Sequence, residues 1–217
     1  MEQKTPADRR PIIARADPAK NPFHALAFGL IVTFAVGIII DGMRAAGVDA
    51  GLATLVVLSL ATAFLFRIYP EPVRRIGAVR SVALIVAGIL AAMLWLAVTG
   101  WHVGSYSVDS WIDYPVFLVV QIVVTPIYEE KVVRYVLLSG LSSRLGLVPA
   151  AIITSLIFAA VHHGNFVAVF LFSLVASALA AAGYNSVHRS LLHGANNAVL
   201  VFWQLAGGFW LASQWRK

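Results

Sequence analysis

The stretch Tyr128-Glu129-Glu130-Lys131-Val132-Val133-Arg134 decides how this chain is interpreted, because it follows the apolar run Phe117-Leu118-Val119-Val120-Gln121-Ile122-Val123-Val124. A charged side chain at mid-bilayer costs roughly 2.5–3.5 kcal/mol, so charges in such a setting are functional by default. Glu130 and Arg134 are four residues apart, which lets them pair on one helix face, whereas Glu129 lies about 100° away around the helix. The alternative is a solvated helix end at the membrane surface.

The composition around this stretch is that of a membrane protein. Of the 217 residues, 60% are hydrophobic and 12% are charged, and the mean hydropathy is +0.84; soluble domains carry about 25% charged residues. Spans of about 20 residues use nearly the whole length, so we expect a single transmembrane helical domain over residues 23–217. The chain has no cysteine, which excludes disulfides and thiolate chemistry. The predicted fold class is an all-α polytopic membrane helix bundle.

The basic residues indicate topology rather than nucleic-acid binding. The net charge is +6, but the basic side chains lie in tails and short loops and form no basic face with interleaved aromatics. Residues 1–22 are rich in basic residues and prolines and predict a flexible, basic, cytoplasmic arm. We therefore expect a multi-pass membrane protein with a cytoplasmic N-terminus and no nucleic-acid partner. The expected location is a bacterial inner membrane.

Hydropathy predicts seven transmembrane helices, at about 24–40, 52–68, 81–100, 114–143, 148–162, 166–184 and 191–212. The number of helices becomes eight if the amphipathic end of the fourth span forms a separate helix. Pro126 predicts a kink just before Glu129. The loop charges alternate as the positive-inside rule requires, with Arg144 and Arg189 in inner links. In a seven-span topology the tail Trp215-Arg216-Lys217 lies outside, against that rule.

Two further polar groups interrupt apolar helices, at Phe158-Ala159-Ala160-Val161-His162 and His193-Gly194-Ala195-Asn196-Asn197. In each, the first and last residues are four apart and share a helix face. Measured from the inner helix ends at 1.5 Å per residue, Glu129 lies roughly 22 Å, His162 roughly 20 Å and His193 roughly 12 Å into the membrane. Tilts and kinks absorb differences of several ångströms, so the sequence predicts one buried polar cluster.

Such a cluster favours hydrolysis by an activated water molecule. A carboxylate held in a low-dielectric site is a stronger base than one in water, and a neighbouring His helps it to activate water. A second His and an Asn are hydrogen-bond donors suited to an oxyanion. The same Glu and two His could instead hold zinc, although there is no His-Glu-x-x-His helix to favour it. No Gly-x-Ser-x-Gly motif is present.

These residues resemble the CPBP family of intramembrane proteases, which includes the CAAX prenyl endopeptidases and Abi-type relatives. The family motifs Glu-Glu-x-x-x-Arg, Phe-x-x-x-His and His-x-x-x-Asn occur here in the family's order, at Glu129–Arg134, Phe158–His162 and His193–Asn197. The resemblance covers about residues 114–204. The first three spans are similar only in being hydrophobic.

The resemblance implies a glutamic-type intramembrane endopeptidase and assigns a role to each motif residue. Glu129 would activate the water with help from His162, and His193 with Asn197 would form the oxyanion site. The supporting residues would be Glu130, Arg134 and Phe158. No cofactor is expected; the zinc alternative would use Glu129, His162 and His193.

Three positions depart from the family pattern, and they affect substrate preference more than chemistry. Val133 and Tyr135 stand where the family often has an aromatic residue and a glycine, and Lys131 beside the glutamate pair is unusual. The expected partners are membrane lipid and a peptide or membrane-protein substrate. Whether that substrate is prenylated stays open, as does the oligomeric state.

Two other functions remain as alternatives. One is a non-catalytic membrane immunity or partner-binding protein that keeps the polar cluster to hold its helices together. The other is a transporter or proton relay built on the buried Glu and His, which would favour an inverted repeat; the sequence contains no convincing internal repeat.

Overall fold

The computed structural model describes residues 17–72, 75–98, 113–162 and 166–214, and these residues form seven helices. The first three are α1 (Pro22–Ala45), α2 (Ala50–Ile68) and α3 (Ala78–Val98). They are followed by α4 (residues 113–145), α5 (Leu147–Ala160), α6 (Phe166–Ala181) and α7 (Ser186–Gln214). The described residues contain no strand. The fold is an all-α membrane helix bundle, as the sequence predicts.

The helices differ in their capacity to span a membrane. Helices α1, α2 and α3 are long and apolar enough to cross one by length and composition. Helices α5 and α6 are apolar but contain only 14 and 16 residues, which gives roughly 21 Å and 24 Å against a hydrocarbon core of about 30 Å. The sequence predicted two ordinary spans here, but the structure has a short hairpin.

Helix α4 does not divide in two, so the eight-helix alternative is wrong for the described residues. It is α-helical over Asp113–Val119, Thr125–Glu129 and Leu138–Leu145, and π-helical over Val120–Val124 and Glu130–Leu137. The first π-helical stretch lies immediately before Pro126, where the sequence predicts a kink. Wide turns of this kind are frequent at functional sites.

Helix α7 begins five residues earlier than expected, at Ser186 rather than at 191. Consequently Arg189 is inside the helix and only 2% exposed, not in an inner loop as predicted. The carboxylate of Glu71 accepts a hydrogen bond from the Ser186 backbone N–H at 3.0 Å. A carboxylate at a helix N-terminus satisfies free N–H groups and complements the helix dipole, which explains the earlier start.

Contacts between the loops define two ends of the bundle. At the first, which we call the basic end, His24 in α1 bonds Tyr69 after α2, Tyr135 in α4 bonds the carbonyl of Pro70, and Glu71 bonds Ser186. The opposite end holds the α1–α2 turn, the start of α4 and the end of α5. Helices α3 and α7 run in the same direction, because Gly88 meets Leu192 and Leu96 packs with Leu200.

Glycines allow the closest helix contacts near the polar motifs. A methyl group at Gly88 would overlap the carbonyl oxygen of Leu192, and one at Gly194 would overlap the carbonyl oxygen of Ile122. Small residues at such crossings let membrane helices pack backbone against backbone. Gly194 therefore sets the distance between α4 and α7, which carry two of the three motifs.

Replacing Gly194 by alanine is expected to lower stability by about 1–3 kcal/mol, because α7 must move away from α4. The matched control is Gly207→Ala in the same helix, where a methyl group meets nothing within 4 Å. The control should be neutral or stabilising by up to about 1 kcal/mol, since alanine favours a helix. Thermal unfolding in detergent, followed by tryptophan fluorescence, measures both; equal midpoints would contradict the packing argument.

Of the predicted basic arm, residues 1–16 lie outside the described part of the chain. The remainder of the arm forms a turn in which the backbone N–H groups of Lys20 and Asn21 donate to the carbonyl of Asp17, at 3.1 and 3.2 Å. Pro18 within it is buried. The prediction of a flexible arm therefore applies to residues 1–16 alone.

Candidate active site

Glu129 lies between two histidines from two other helices. Its Oε1 is 3.7 Å from Nε2 of His162, and its Oε2 is 3.5 Å from Nε2 of His193. The Glu129 side chain keeps 19% of its surface exposed and that of His162 keeps 33%. The structure thus brings the three groups together within reach of one water molecule, as the depth argument predicts.

Each histidine is oriented by a hydrogen bond at Nδ1, the ring nitrogen that does not face Glu129. Nδ1 of His162 is 2.6 Å from the carbonyl oxygen of Phe158, one of the last carbonyls of α5, which have no partner within the helix. A carbonyl only accepts, so Nδ1 carries the hydrogen. Nδ1 of His193 lies 3.1 Å from Oε1 of Glu130. Both Nε2 atoms are therefore directed at Glu129.

Glu130 is fully buried and held on several sides, unlike its neighbour. Its Oε2 accepts from Nε of Arg189 at 3.0 Å, and its Oε1 bonds His193. The predicted pair with Arg134 is present at 3.6 Å, longer than a hydrogen bond. Glu130 is consequently committed to its partners, whereas Glu129 remains available to a ligand.

Arg134 and Phe158 form one stacked unit beside this pair. The Arg134 guanidinium lies 4.2 Å from the Phe158 ring centroid, and Nη2 donates to Oγ of Ser173 in α6 at 2.9 Å. The Phe158 ring also contacts the ring of His162, with centroids 4.1 Å apart. A cation over an aromatic face is attracted by the ring quadrupole, so this unit joins α4, α5 and α6.

Asn197 is linked to the irregular part of α4. Its Nδ2 donates to the carbonyl of Gln121 at 3.0 Å. In the π-helical stretch Thr125 N–H bonds the carbonyl of Val120, so the next carbonyl, that of Gln121, would need the N–H of Pro126, which proline lacks. Asn197 satisfies it with one amide hydrogen and keeps a second one free of that bond.

A cavity of about 700 Å³ contains the motif residues that face one another. Glu129, Phe158, His162, His193 and Asn197 line it. Helix α4 also contributes Gln121 and Thr125 to the lining. The rest is largely apolar and comes from α3, α6 and α7; it includes Leu94, Trp95, Leu171, Phe172 and Leu200. Because α3 packs along α7 and α5 packs along α6, these two helix pairs form its walls.

Comparison with known families gives the same assignment as the motifs. Residues 110–199 match the model of the Rce1-like family, described as type II CAAX prenyl endopeptidase Rce1-like. These 90 of the 217 residues are similar to an Rce1-like domain. No curated protein and no solved structure matches the chain significantly. The resemblance inferred from the three motifs is thereby confirmed, and the matched family is one of prenyl endopeptidases.

Sequence reasoning missed two residues that hold the Rce1-like domain together. Arg189 carries the ion pair to Glu130, donates to the carbonyl of Tyr184 and to Oγ of Ser186, and lies 3.7 Å from Glu71. Glu71, outside the matched residues, is also 3.5 Å from Nζ of Lys131. The signal that could have identified Arg189 was the short apolar interval that follows it. This interval indicates that the helix begins earlier, and the first turns of α7 then reach Glu130.

Lys131, one departure from the family pattern, has a structural explanation. It is fully buried, and its Nζ lies 4.2 Å from the ring centroid of Phe66 and 3.8 Å from that of Tyr135. Together with Glu71 these rings surround the ammonium group. Tyr135, which also differs from the family pattern, therefore packs its ring against the Lys131 ammonium group.

The described residues show no group of three or more His, Cys, Asp or Glu arranged to hold a metal ion. Glu129, His162 and His193 nonetheless converge, with carboxylate-to-nitrogen distances of 3.5 and 3.7 Å. Zinc ligands of these types bind at about 2.0–2.2 Å from the ion. The zinc alternative is thus a matter for experiment.

We expect Glu71→Gln to lower stability by about 3 kcal/mol, because it leaves Lys131 buried without a counter-charge. The control is Asp41→Asn, which breaks a pair with Arg44 whose side chains are 79% and 57% exposed; exposed pairs contribute less than about 1 kcal/mol. Thermal unfolding in detergent compares the two. An equally small decrease in the unfolding temperature of both variants would show that Glu71 is not needed to neutralise Lys131.

Proposed function

We propose that this protein is an intramembrane peptidase in which Glu129 activates a water molecule to hydrolyse a peptide bond near or within the membrane. The observation that carries the proposal is the contrast between two adjacent carboxylates. Glu130 is buried and bonded to Arg189 and His193, while Glu129 reaches the cavity between two histidines. A base must reach the proton that it removes, and of this pair Glu129 satisfies that requirement.

In the proposed reaction, a water molecule beside Glu129 attacks the substrate carbonyl carbon and gives a proton to the Glu129 carboxylate. The new carbon–oxygen bond pushes charge onto the carbonyl oxygen. When the tetrahedral intermediate collapses, the carbon–nitrogen bond breaks and the proton passes from Glu129 to the leaving amine. His162 helps to orient the water, because its Nε2 faces the same carboxylate at 3.7 Å.

His193 and Asn197 are proposed to stabilise the oxyanion. This role requires a hydrogen on Nε2 of His193, and the carboxylates flanking the ring, Glu130 at 3.1 Å and Glu129 at 3.5 Å, compensate the charge of that doubly protonated form. The amide hydrogen that Asn197 does not give to Gln121 is the second donor. Donors fixed before the reaction in a dry site contribute most to such catalysis.

The cavity lining favours an apolar substrate. Besides the motif residues, it consists mainly of aliphatic and aromatic side chains. An uncharged peptide segment of a membrane protein suits this surface, as would a peptide carrying an attached lipid chain. We therefore propose a membrane-embedded or membrane-proximal peptide as the substrate class.

Glu129→Gln tests the role of the carboxylate. The amide preserves shape and hydrogen bonding but cannot accept the proton, so kcat for a membrane-proximal peptide reporter should fall about 10²–10⁴-fold. The control is Asp41→Asn, the same type of substitution at an exposed site. Activity unchanged in Glu129→Gln would sink the proposed role of this carboxylate. A folded natural protein without any hydrolysis of the reporter would favour the non-catalytic alternative, in which an amide holds the helices equally well.

Peptidase activity is expected to survive removal of metal ions, because the proposed mechanism uses side chains alone. The measurement is hydrolysis by the purified protein before and after dialysis against a chelator, together with its zinc content. Stoichiometric zinc, with activity lost on chelation and restored by zinc, would instead establish a metal site at Glu129, His162 and His193.

A further inference from the structure

A second cavity, of about 520 Å³, lies at the basic end of the bundle, apart from the cavity that contains the motif residues. The end of α4, the start of α5, the end of α6 and the connection into α7 enclose it. Leu147, Ala181 and Gly183 in its wall are exposed. Arg134 and Arg189, which also line it, are only 2% exposed. The cavity therefore extends from the surface of the bundle to two buried guanidinium groups.

The two guanidinium groups differ in how far their N–H donors are satisfied. Every side-chain nitrogen of Arg189 donates to a protein oxygen, and Nε donates to the Glu130 carboxylate. Arg134 donates through Nη2 to Ser173, whereas its Nε and Nη1 have no hydrogen-bond partner among the described residues. Nη1 lies 3.6 Å from the Glu130 carboxylate, which is longer than a hydrogen bond. Buried charged donors without an acceptor are costly, so Arg134 indicates a ligand that supplies one.

A second buried donor without a partner lies on the same side of α6. Ser177 is one turn from Ser173, which bonds Arg134, and it precedes the cavity-lining residues Ala180 and Ala181 by three and four positions. Residues three and four apart share a helix face. Ser177 is 1% exposed, and its Oγ has no hydrogen-bond partner in the part of the chain that the structure describes. Along α6, this free hydroxyl therefore lies between the Arg134 contact and the cavity wall.

The charged side chains next to this cavity include more cations than carboxylates. Three cations accompany two carboxylates: Lys131, Arg134, Arg189, Glu71 and Glu130. Glu71 lines the cavity as well, but its carboxylate pairs with Lys131 and accepts from the Ser186 N–H. A third carboxylate, that of Glu129, lines the other cavity beside two histidines. The excess of one cation favours a ligand with a single negative charge.

We propose that the second cavity binds a phosphate group with one negative charge, which accepts hydrogen bonds from Arg134 and Ser177. A guanidinium group matches the oxygens of a phosphate well, and a volume of about 520 Å³ is typical of small-molecule sites. The inference does not depend on the proposed peptidase activity, because neither residue lines the cavity that contains Glu129.

Two sources of this chemistry fit the cavity, namely the phosphodiester of an anionic lipid headgroup and a free phosphate ion. The ends of α4, α5, α6 and α7 surround the cavity, and lipid headgroups lie at the ends of membrane helices. Basic pockets between membrane helices bind such headgroups. The apolar side chains of Leu138 and Leu147 in the wall also suit the carbon atoms of a lipid.

Blocking the cavity tests the proposal without breaking the ion pairs, whose loss would destabilise the fold. Ala181→Leu places a larger side chain in the exposed wall of the cavity. Ala178→Leu, exposed in the same helix and outside both cavities, is the matched control. Ser177→Ala removes the free hydroxyl and is the second variant in case Ala181→Leu does not fold. The measurement is the Tm of the full chain in an uncharged detergent, with inorganic phosphate or with chloride at the same ionic strength.

Phosphate should raise the Tm of the natural chain and of Ala178→Leu more than chloride does, because a ligand that binds only the folded state stabilises it. The phosphate affinity obtained from this increase should fall at least about tenfold in Ala181→Leu. It should fall about tenfold in Ser177→Ala, which loses one hydrogen bond to a charged group.

Mixed micelles distinguish the two sources of phosphate. Phosphatidylglycerol is compared with the same amount of diacylglycerol, which has no phosphate. A Tm increase at lower concentrations of phosphatidylglycerol than of inorganic phosphate, reduced in the same variants, would identify a lipid headgroup as the ligand. An increase with inorganic phosphate alone would identify a free phosphate ion.

Three results would overturn the proposal. Neither phosphate nor phosphatidylglycerol could raise the Tm of the natural chain above its reference. Chloride could stabilise the protein as much as phosphate does, so that the site would not select phosphate. Finally, Ala181→Leu and Ser177→Ala could keep the full increase seen in Ala178→Leu, in which case the anion binds elsewhere on the protein.

Discussion

The ion pair between Glu130 and Arg189 is the contact on which the rest of this structure depends. Both side chains are almost completely buried, and Nε of Arg189 donates to Oε2 of Glu130 at 3.0 Å. Two charges removed from water cost several kcal/mol each, and only close pairing with further hydrogen bonds offsets that cost. Here the additional bonds come from His193 and from the start of α7, so the pair fixes α7 against α4.

The same pair separates the functions of two adjacent glutamates. Glu130 is engaged with Arg189 and His193. The preceding residue, Glu129, lies about 100° away around the helix and lines the cavity. His193 links the two, with Nδ1 on Glu130 and Nε2 toward Glu129. One carboxylate therefore orients the histidine, and the other lines the cavity.

The irregular backbone of α4 also positions helix α7. The π-helical stretch before Pro126 leaves the carbonyl of Gln121 without a partner in its own helix, and Asn197 provides one. Gly194, one turn earlier in α7, allows the backbones to approach at Ile122. A regular α-helix without proline would offer no free carbonyl to Asn197, so the third motif depends on the irregularity within the first.

The sequence by itself determined the membrane-helix class, the three motifs and their common depth, because hydrophobic length and four-residue spacing are local properties of the chain. It predicted the pair of Glu130 with Arg134, which is present at 3.6 Å, but not the hydrogen bond from Arg189, 59 residues away. Nor could it show that α7 begins at Ser186, since the reason is a carboxylate, Glu71, donated by a distant loop. Ion pairs between helices depend on tertiary packing, because a buried charge pairs with the opposite charge that the fold brings nearest. The sequence alone does not contain that distance.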